Sequence, residues 1–155
     1  MFPAPFYFSK FFMRHTYPLA VHLFFFQNNQ VLLLRRFNTG YEDGNYSVPA
    51  GHVEAGESAT QCAIREAREE AGVELNPQHV VFAQVMHRKS DDERVNFFFV
   101  ITQWRGEITN AEPHKCDDLS WHPLDALPHN MIPYVRHALS QIQNEITFSE
   151  LGWED

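Results

Sequence analysis

Two short apolar runs, Pro18 to Gln27 and Gln30 to Arg36, are separated by Asn28 and Asn29. Both are rich in residues that favour strands, and a pair of asparagines between them predicts a hairpin. A polar, glycine-containing loop is expected over residues 37–45, followed by a short extended stretch at 46–50. Ser58 to Ala71 reads as a helix, with Ser58 as N-cap and Gly72 just past its end. Residues 80–88 and 94–104 predict two more strands, joined by the polar 89–93. Within the second, Asn96 to Ile101 is apolar on both faces, as in a sheet covered on both sides. Residues 118–122 predict a last strand. Residues 132–146 predict an amphipathic helix, with Val135, Leu139, Ile142 and Ile146 at helical spacing. This order implies an α/β fold in which a mixed sheet lies between helices.

Composition narrows the function more than the fold. A chain of 155 residues with 44% hydrophobic content suits one compact domain, and fourteen Phe predict an aromatic core. Twenty acidic against 12 basic residues give a formal net charge of -8. That balance argues against a nonspecific nucleic-acid binder and leaves phosphate chemistry open only if metal ions mediate it. The two cysteines, Cys62 and Cys116, form no motif with each other. With no secretory signal, a reduced cytoplasmic location is the expectation. Residues 1–12 are apolar but too short to span a membrane. They are read as an extension ahead of Met13 or a packing arm, leaving 13–155 as a single domain with no membrane partner.

The segment from Gly51 to Val73 carries the chemistry. If residues 58–71 are helical, Glu66, Glu69 and Glu70 stand at i, i+3 and i+4 on one face. Like charges at that spacing cost a helix roughly 0.2–0.5 kcal/mol per pair. Glu69 and Glu70 also fall near the helix C-terminus, where the macrodipole disfavours them by a further ~0.3–1 kcal/mol each. A solvated acidic face is the ordinary explanation for such a run. A hard divalent cation is the chemical one: Mg²⁺ takes a few carboxylate oxygens and keeps places for water and phosphates. It would also supply the positive charge that an acidic protein lacks.

The same segment resembles the Nudix box, Gly-x5-Glu-x7-Arg-Glu-U-x-Glu-Glu-x-Gly-U, where U is a bulky aliphatic residue. Gly51, Glu57, Arg65, Glu66, Glu69, Glu70, Gly72 and Val73 match at the required spacing, and Ala67 is a smaller residue than the pattern asks for. Seven fixed positions would match by chance in roughly one chain in a million. The resemblance implies the Nudix α/β/α sandwich and a hydrolase of MutT-like type. It implies Glu66, Glu69 and Glu70 as ligands of Mg²⁺, with Mn²⁺ as a substitute and the Gly51 carbonyl as an extra ligand. Glu57 and Arg65 would form a supporting ion pair that positions the acids. One carboxylate would orient or deprotonate the attacking water, and the metal would stabilise the transition state.

Outside the box, Glu112 resembles a downstream Glu that some MutT-like members use as a further ligand or base; a solvated loop acid is the alternative. Arg35, Arg36, Arg88, Lys89 and Arg94 are candidates for substrate phosphates, against a plain solubility role. Trp121 is a candidate for stacking on a base, against core packing. The Pro that the ADP-ribose branch tends to carry after the box is missing, as are the Tyr of the dinucleoside-polyphosphate branch and the coenzyme A signature. The expected substrate is therefore a nucleoside triphosphate cut to monophosphate and pyrophosphate, modified nucleotides included. The alternatives are a non-catalytic nucleotide sensor or scaffold and an enzyme for ADP-ribose or another nucleotide sugar. An intact box disfavours the sensor. Monomer and homodimer are both open.

Overall fold

In a computed structural model of the protein, which describes residues 14–154, the first hairpin sets the architecture. Strand β1 (Leu19–Gln27) turns through Asn28 and Asn29 into β2 (Gln30–Arg36). Both asparagines have positive φ, 52° and 59°. That is the twist a two-residue hairpin requires, and Asn tolerates it better than most side chains. The two strands pair only beside the turn, Phe26 with Val31 and Gln27 with Gln30. Beyond it each joins different neighbours. The expectation for residues 1–12 lies outside the described residues.

On one side, β1 runs parallel to β6 (Glu93–Ile101) and antiparallel to β4 (Ala50–His52). Strand β6 pairs antiparallel with β5 (Val81–Lys89), and β5 pairs parallel with β8 (Phe148–Leu151). On the other side, β2 lies antiparallel between β3 (Tyr46–Ser47) and β7 (Cys116–Pro123). The result is the expected mixed sheet. The strand expected over 94–104 stops at Ile101, and the last expected strand, 118–122, is longer at both ends.

Side chains alternate across β1 and β6, and each face has its own core. Val21, Leu23, Phe25, Phe99 and Ile101 pack with Cys62, Ala63, Ala67 and Ala71 of helix α1 (Ala59–Ala71). Phe24 and Phe98, with Met86 of β5, pack with Val135, Ala138 and Leu139 of helix α2 (Pro133–Gln143). The double apolar character of 96–101 thus reflects a sheet covered on both faces. The small residues of α1 let it lie close to the sheet, and Ala67, the soft position in the box, is one of them.

Helix α1 begins with a capping box. Ser58 Oγ accepts the Gln61 N–H at 3.2 Å, and Gln61 Oε1 accepts the Ser58 N–H at 2.8 Å. It ends at Gly72, φ 69°, where the Gly72 and Val73 N–H groups donate to Arg68 and Ala67 carbonyls. Helix α2 is shorter than the apolar spacing predicts. Asn144 Nδ2 donates to the Ser140 carbonyl, Glu145 takes a φ of 58°, and Ile146 is left 41% exposed. The chain then enters β8, an element that the sequence reading missed. Beyond it, a Cβ on Gly152 would stand 2.0 Å from the Lys89 carbonyl oxygen, and Trp153 Nε1 donates to His87 O. This strap holds the outer edge of β5.

The cap gives a direct test of what holds α1 in place. Ser58→Ala removes the acceptor for the Gln61 N–H and should lower unfolding free energy by about 1 kcal/mol. Urea denaturation of the two proteins measures it.

Candidate active site

The acidic face of α1 meets β4 at a point where there is room for a carboxylate only because residue 51 has no side chain. A Cβ on Gly51 would lie 1.8 Å from Glu66 Oε1 and 2.7 Å from Oε2. One turn on, Glu70 Oε2 accepts the Ala50 N–H at 2.8 Å. The hairpin of β1 fixes β4 through the Val21–Gly51 pairing, so strand and helix together place both acids.

Arg65 organises the remaining charge. Its Nε and Nη2 donate to the two oxygens of Glu57 at 2.8 and 3.0 Å, and Nη2 also reaches the His52 carbonyl. Its Nη1 is shared by Glu66 Oε1 at 2.5 Å and Glu69 Oε2 at 3.1 Å. The Arg65 bonds, then the Glu54 N–H, hold the Glu57 carboxyl down at about 2. Glu66 moves the other way, raised by burial against the opposing pull of Arg65. Burial pushes Glu70 up to about 8, against the Ala50 N–H, with the charges of Glu66 and Glu112 adding to the rise. Cys62 lies beneath, its Sγ 3.5 Å from the His52 carbonyl; burial raises it to about 12, so it stays a neutral thiol.

Of these acids, Glu70 reaches a cleft of about 450 Å³. Gly51, Glu70, Glu112 and Arg36 line it, together with His22, Tyr41, Arg94, Asn96, Lys115 and Tyr134. Glu112 accepts Lys115 Nζ at 3.1 Å. Arg36 donates to the Tyr41 carbonyl and to Thr39 Oγ1, which ties the 37–45 loop to the cleft wall.

The donor set suits a hard cation. Glu66, Glu70 and Glu112 offer carboxylate oxygens, and Gly51 adds a carbonyl. Burial and mutual repulsion hold Glu70 near neutrality, a penalty that a divalent cation would reverse. Among the described residues no three acidic, His or Cys side chains already form a closed cage. Glu66 and Glu69 each give an oxygen to Arg65, so a metal would compete with that arginine for them.

A family model described as the NUDIX domain matches residues 16–142. The chain belongs to the Nudix family. It is 37% identical over 102 residues to the NAD-capped RNA hydrolase NudC of Pseudomonas aeruginosa (strain LESB58), a match covering 66% of this chain but only 34% of that protein. It is 28% identical over 109 residues to the 8-oxo-dGTP diphosphatase of Escherichia coli (strain K12), covering 70% of this chain and 83% of that one. Among solved structures, the MutT NUDIX hydrolase from Burkholderia pseudomallei superposes with a TM-score of 0.75 at 24% identity, over 82% of this chain and 98% of that chain. The fold is therefore MutT-like.

Within this Nudix chain, the residues singled out from sequence fall into three places. Gly51, Glu57, Arg65, Glu66, Glu69 and Glu70 form one connected network, and Glu112 and Arg36 face the same cleft. Arg88 lies behind the cleft wall, with its guanidinium 4.1 Å from the centre of the Tyr134 ring. Two do not join the cleft. Arg35 makes a two-bond pair with Asp117 at the surface, and Trp121 stacks on Trp104 in the α1-side core, 5.9 Å between centroids. Tyr134, Asn96, His22 and Lys115 were not singled out. They come from different elements, and no local spacing joins them.

Two measurements probe this geometry. Gly51→Ala forces Glu66 off the β4 backbone and should weaken any divalent-cation binding at this site at least tenfold while the protein stays folded; calorimetric titration and circular dichroism report the two. In chelator, Glu70 binds its proton up to about pH 8 when folded, whereas an unfolded carboxyl, with its ordinary value of 4.5, has lost it. Its contribution to stability is therefore greatest below pH 4.5 and is lost as pH rises through 8. Thermal melts without metal should show that decline, and Glu70→Gln should flatten it.

Proposed function

We propose that the protein is a divalent-metal-dependent hydrolase of nucleoside diphosphate-linked substrates. Within that class, we propose that it cuts a nucleoside triphosphate to monophosphate and pyrophosphate. The observation that carries this reading is Glu70. This half-buried carboxylate lines a cleft together with the cationic Arg36, Arg94 and Lys115 and the aromatic Tyr41 and Tyr134. Acids suited to a metal, cations suited to phosphates and rings suited to a base share one cavity.

Bound Mg²⁺ would neutralise charge on the phosphates and on the departing pyrophosphate. Glu66, Glu69, Glu70 and Glu112, with the Gly51 carbonyl, are the groups that would hold it. The protein's own residues do the rest. A carboxylate of this set takes a proton from water as its oxygen bonds to phosphorus, and the bridging P–O bond breaks towards pyrophosphate. Arg36 and Lys115 orient the phosphate oxygens. Arg65 keeps Glu66 and Glu69 aligned.

The NudC relative is named for NAD-capped RNA, so the expectation that nucleic acid is not a partner does not extend across the family. The match spans about a third of that protein, and a free nucleotide remains the reading that the size of the cleft favours. Both cysteines are free thiols, consistent with a reduced, cytoplasmic setting, and no helix among the described residues is long and apolar enough to cross a membrane.

The test is a nucleotide panel incubated with Mg²⁺, with products resolved as monophosphate plus pyrophosphate or as diphosphate plus phosphate. Glu69→Gln and Glu70→Gln should each cut turnover by at least 100-fold with the fold intact. Full activity in both variants would assign the chemistry to other carboxylates. A wild type that binds nucleotides tightly and hydrolyses none would make the protein a sensor.

A further inference from the structure

The end of the cleft away from α1 breaks a rule of strand pairing. Arg88 of β5 and Arg94 of β6 are direct partners in an antiparallel ladder, so both side chains leave the same face. Like charges placed directly opposite destabilise such a pair. Arg94 is neutralised by Asp92, whose carboxylate it grips with two donors. Among the described residues, Arg88 has no carboxylate within ion-pair distance. It is only 7% exposed, its Nε lacks a partner, and it lies flat on Tyr134. Tyr134 is itself held by His22, 2.9 Å from hydroxyl to Nε2. Two residues along β6 from Arg94, on the same face, Asn96 is 1% exposed, and its Nδ2 also lacks a partner.

Two of the groups left without a partner here, Arg88 Nε and Asn96 Nδ2, are donors, and the third is the ring nitrogen Nδ1 of His22. A buried guanidinium without an acid and a buried amide N–H without an acceptor both cost stability, and no apolar packing requires either. Local rules broken together at one place mark a functional site. The arrangement also has direction: the acids of α1 and Glu112 lie at one end of the cleft, and donors occupy the other.

We infer that Arg94 and Asn96, which line the cleft, form with the buried charge of Arg88 behind them a selectivity subsite for an acceptor-rich group on the substrate, at the end remote from the phosphate being cut. In a nucleotide, that group is the carbonyl edge of a keto base or a second, remote phosphate. The inference rests on the proposed reading of the cleft as a nucleotide site. Arg94 has a guanidinium nitrogen outside its bonds to Asp92, Arg88 adds a second positive charge behind it and Asn96 offers its amide N–H, which together match oxygens better than they match an exocyclic amine. Tyr134 is placed to hold the Arg88 plane, and His22 to hold Tyr134. Burial, then the charge of Arg88, takes His22 down to about 3, so it stays neutral and does not add a third cation.

Equilibrium binding of non-hydrolysable triphosphate analogues separates this inference from the catalytic one, because it needs no turnover. Guanosine and uridine analogues should bind at least tenfold more tightly than adenosine and cytidine analogues. Arg88→Met and Asn96→Leu should each erase that difference, without loss of melting temperature, since each removes an unsatisfied polar group. Asn96→Asp, which turns the donor into an acceptor, should shift preference towards the amino bases. If the acceptor is a phosphate, a nucleoside bisphosphate carrying a remote phosphate should bind tightly whatever its base, and Arg88→Met should abolish that gain. Equal affinity for all analogues, or a preference untouched by these substitutions, overturns the inference. Arg88→Lys guards against a misfolded Met variant: it keeps the charge, loses the fork, and should retain the fold with intermediate selectivity. Failure of hydrolysis with this binding pattern intact would count against the catalytic reading alone.

Discussion

Two carboxylates drawn partly out of water, Glu66 buried and Glu70 half-buried, are the constraint on which the site depends. Glu70 is held against the backbone of β4 by the Ala50 N–H, with Glu66 one turn away pressed onto Gly51. Neither position stabilises an anion by itself. Burial raises both acids, the charge of Glu66 adds to the rise at Glu70, and those of Glu69 and Glu112 add to the rise at Glu66. The helix tolerates this because its opposite face is anchored elsewhere. Cys62, Ala63, Ala67 and Ala71 are fully buried against the sheet, and the capping box and Gly72 close both ends. Packing and caps hold the backbone while the acidic face is kept in an unfavourable state.

Arg65 explains why that state does not collapse. Its guanidinium binds Glu57 with two parallel bonds, so its orientation is set before it meets the other acids. The remaining nitrogen then divides itself between Glu66 and Glu69. An arginine fixed in this way restrains the ligating acids without occupying the cleft. Glu70 and Glu112 face the cavity outside its reach. The charge network is therefore graded, from the fully paired Glu57 to the half-buried Glu70, which among the described residues has no cation beside it.

The part of this that was legible in the sequence is the part written in local spacing. Ser58, the three glutamates and Gly72 lie within one helix and its caps, where i, i+3 and i+4 fix geometry directly. Asn28-Asn29 was legible for the same reason. The helix expected to reach Ile146 was not, because Ile142 and Ile146 keep helical spacing even though the chain turns at Asn144 and Glu145 between them. Strand β8 went unseen because four residues at a sheet edge, with an alternating exposed side, leave little pattern. The far end of the cleft was invisible for a different reason. His22, Arg88, Asn96 and Tyr134 come from β1, β5, β6 and α2, and only the topology joins them. Trp121 shows the converse: an aromatic residue in the right part of the chain points to the other face of the sheet.

The cleft itself follows from the short reach of the first hairpin. Strands β1 and β2 pair for two residues beside the turn and then part, one joining β4 and β6, the other β3 and β7. Where they separate, backbone groups that would have paired need other partners. The Leu23 N–H takes the Pro49 carbonyl, and the Arg36 N–H takes the Asn45 carbonyl. The segment between β3 and β4 is thus drawn into the gap, which carries Ala50 and Gly51 to the acidic face of α1. The same divergence lines the cleft with Ala20 and His22 on one wall and Leu34 and Arg36 on the other. A hairpin with longer pairing would close the cavity and leave β4 no edge of β1 to join. The opening for substrate and the seat of the carboxylates are therefore two results of one interruption in strand pairing.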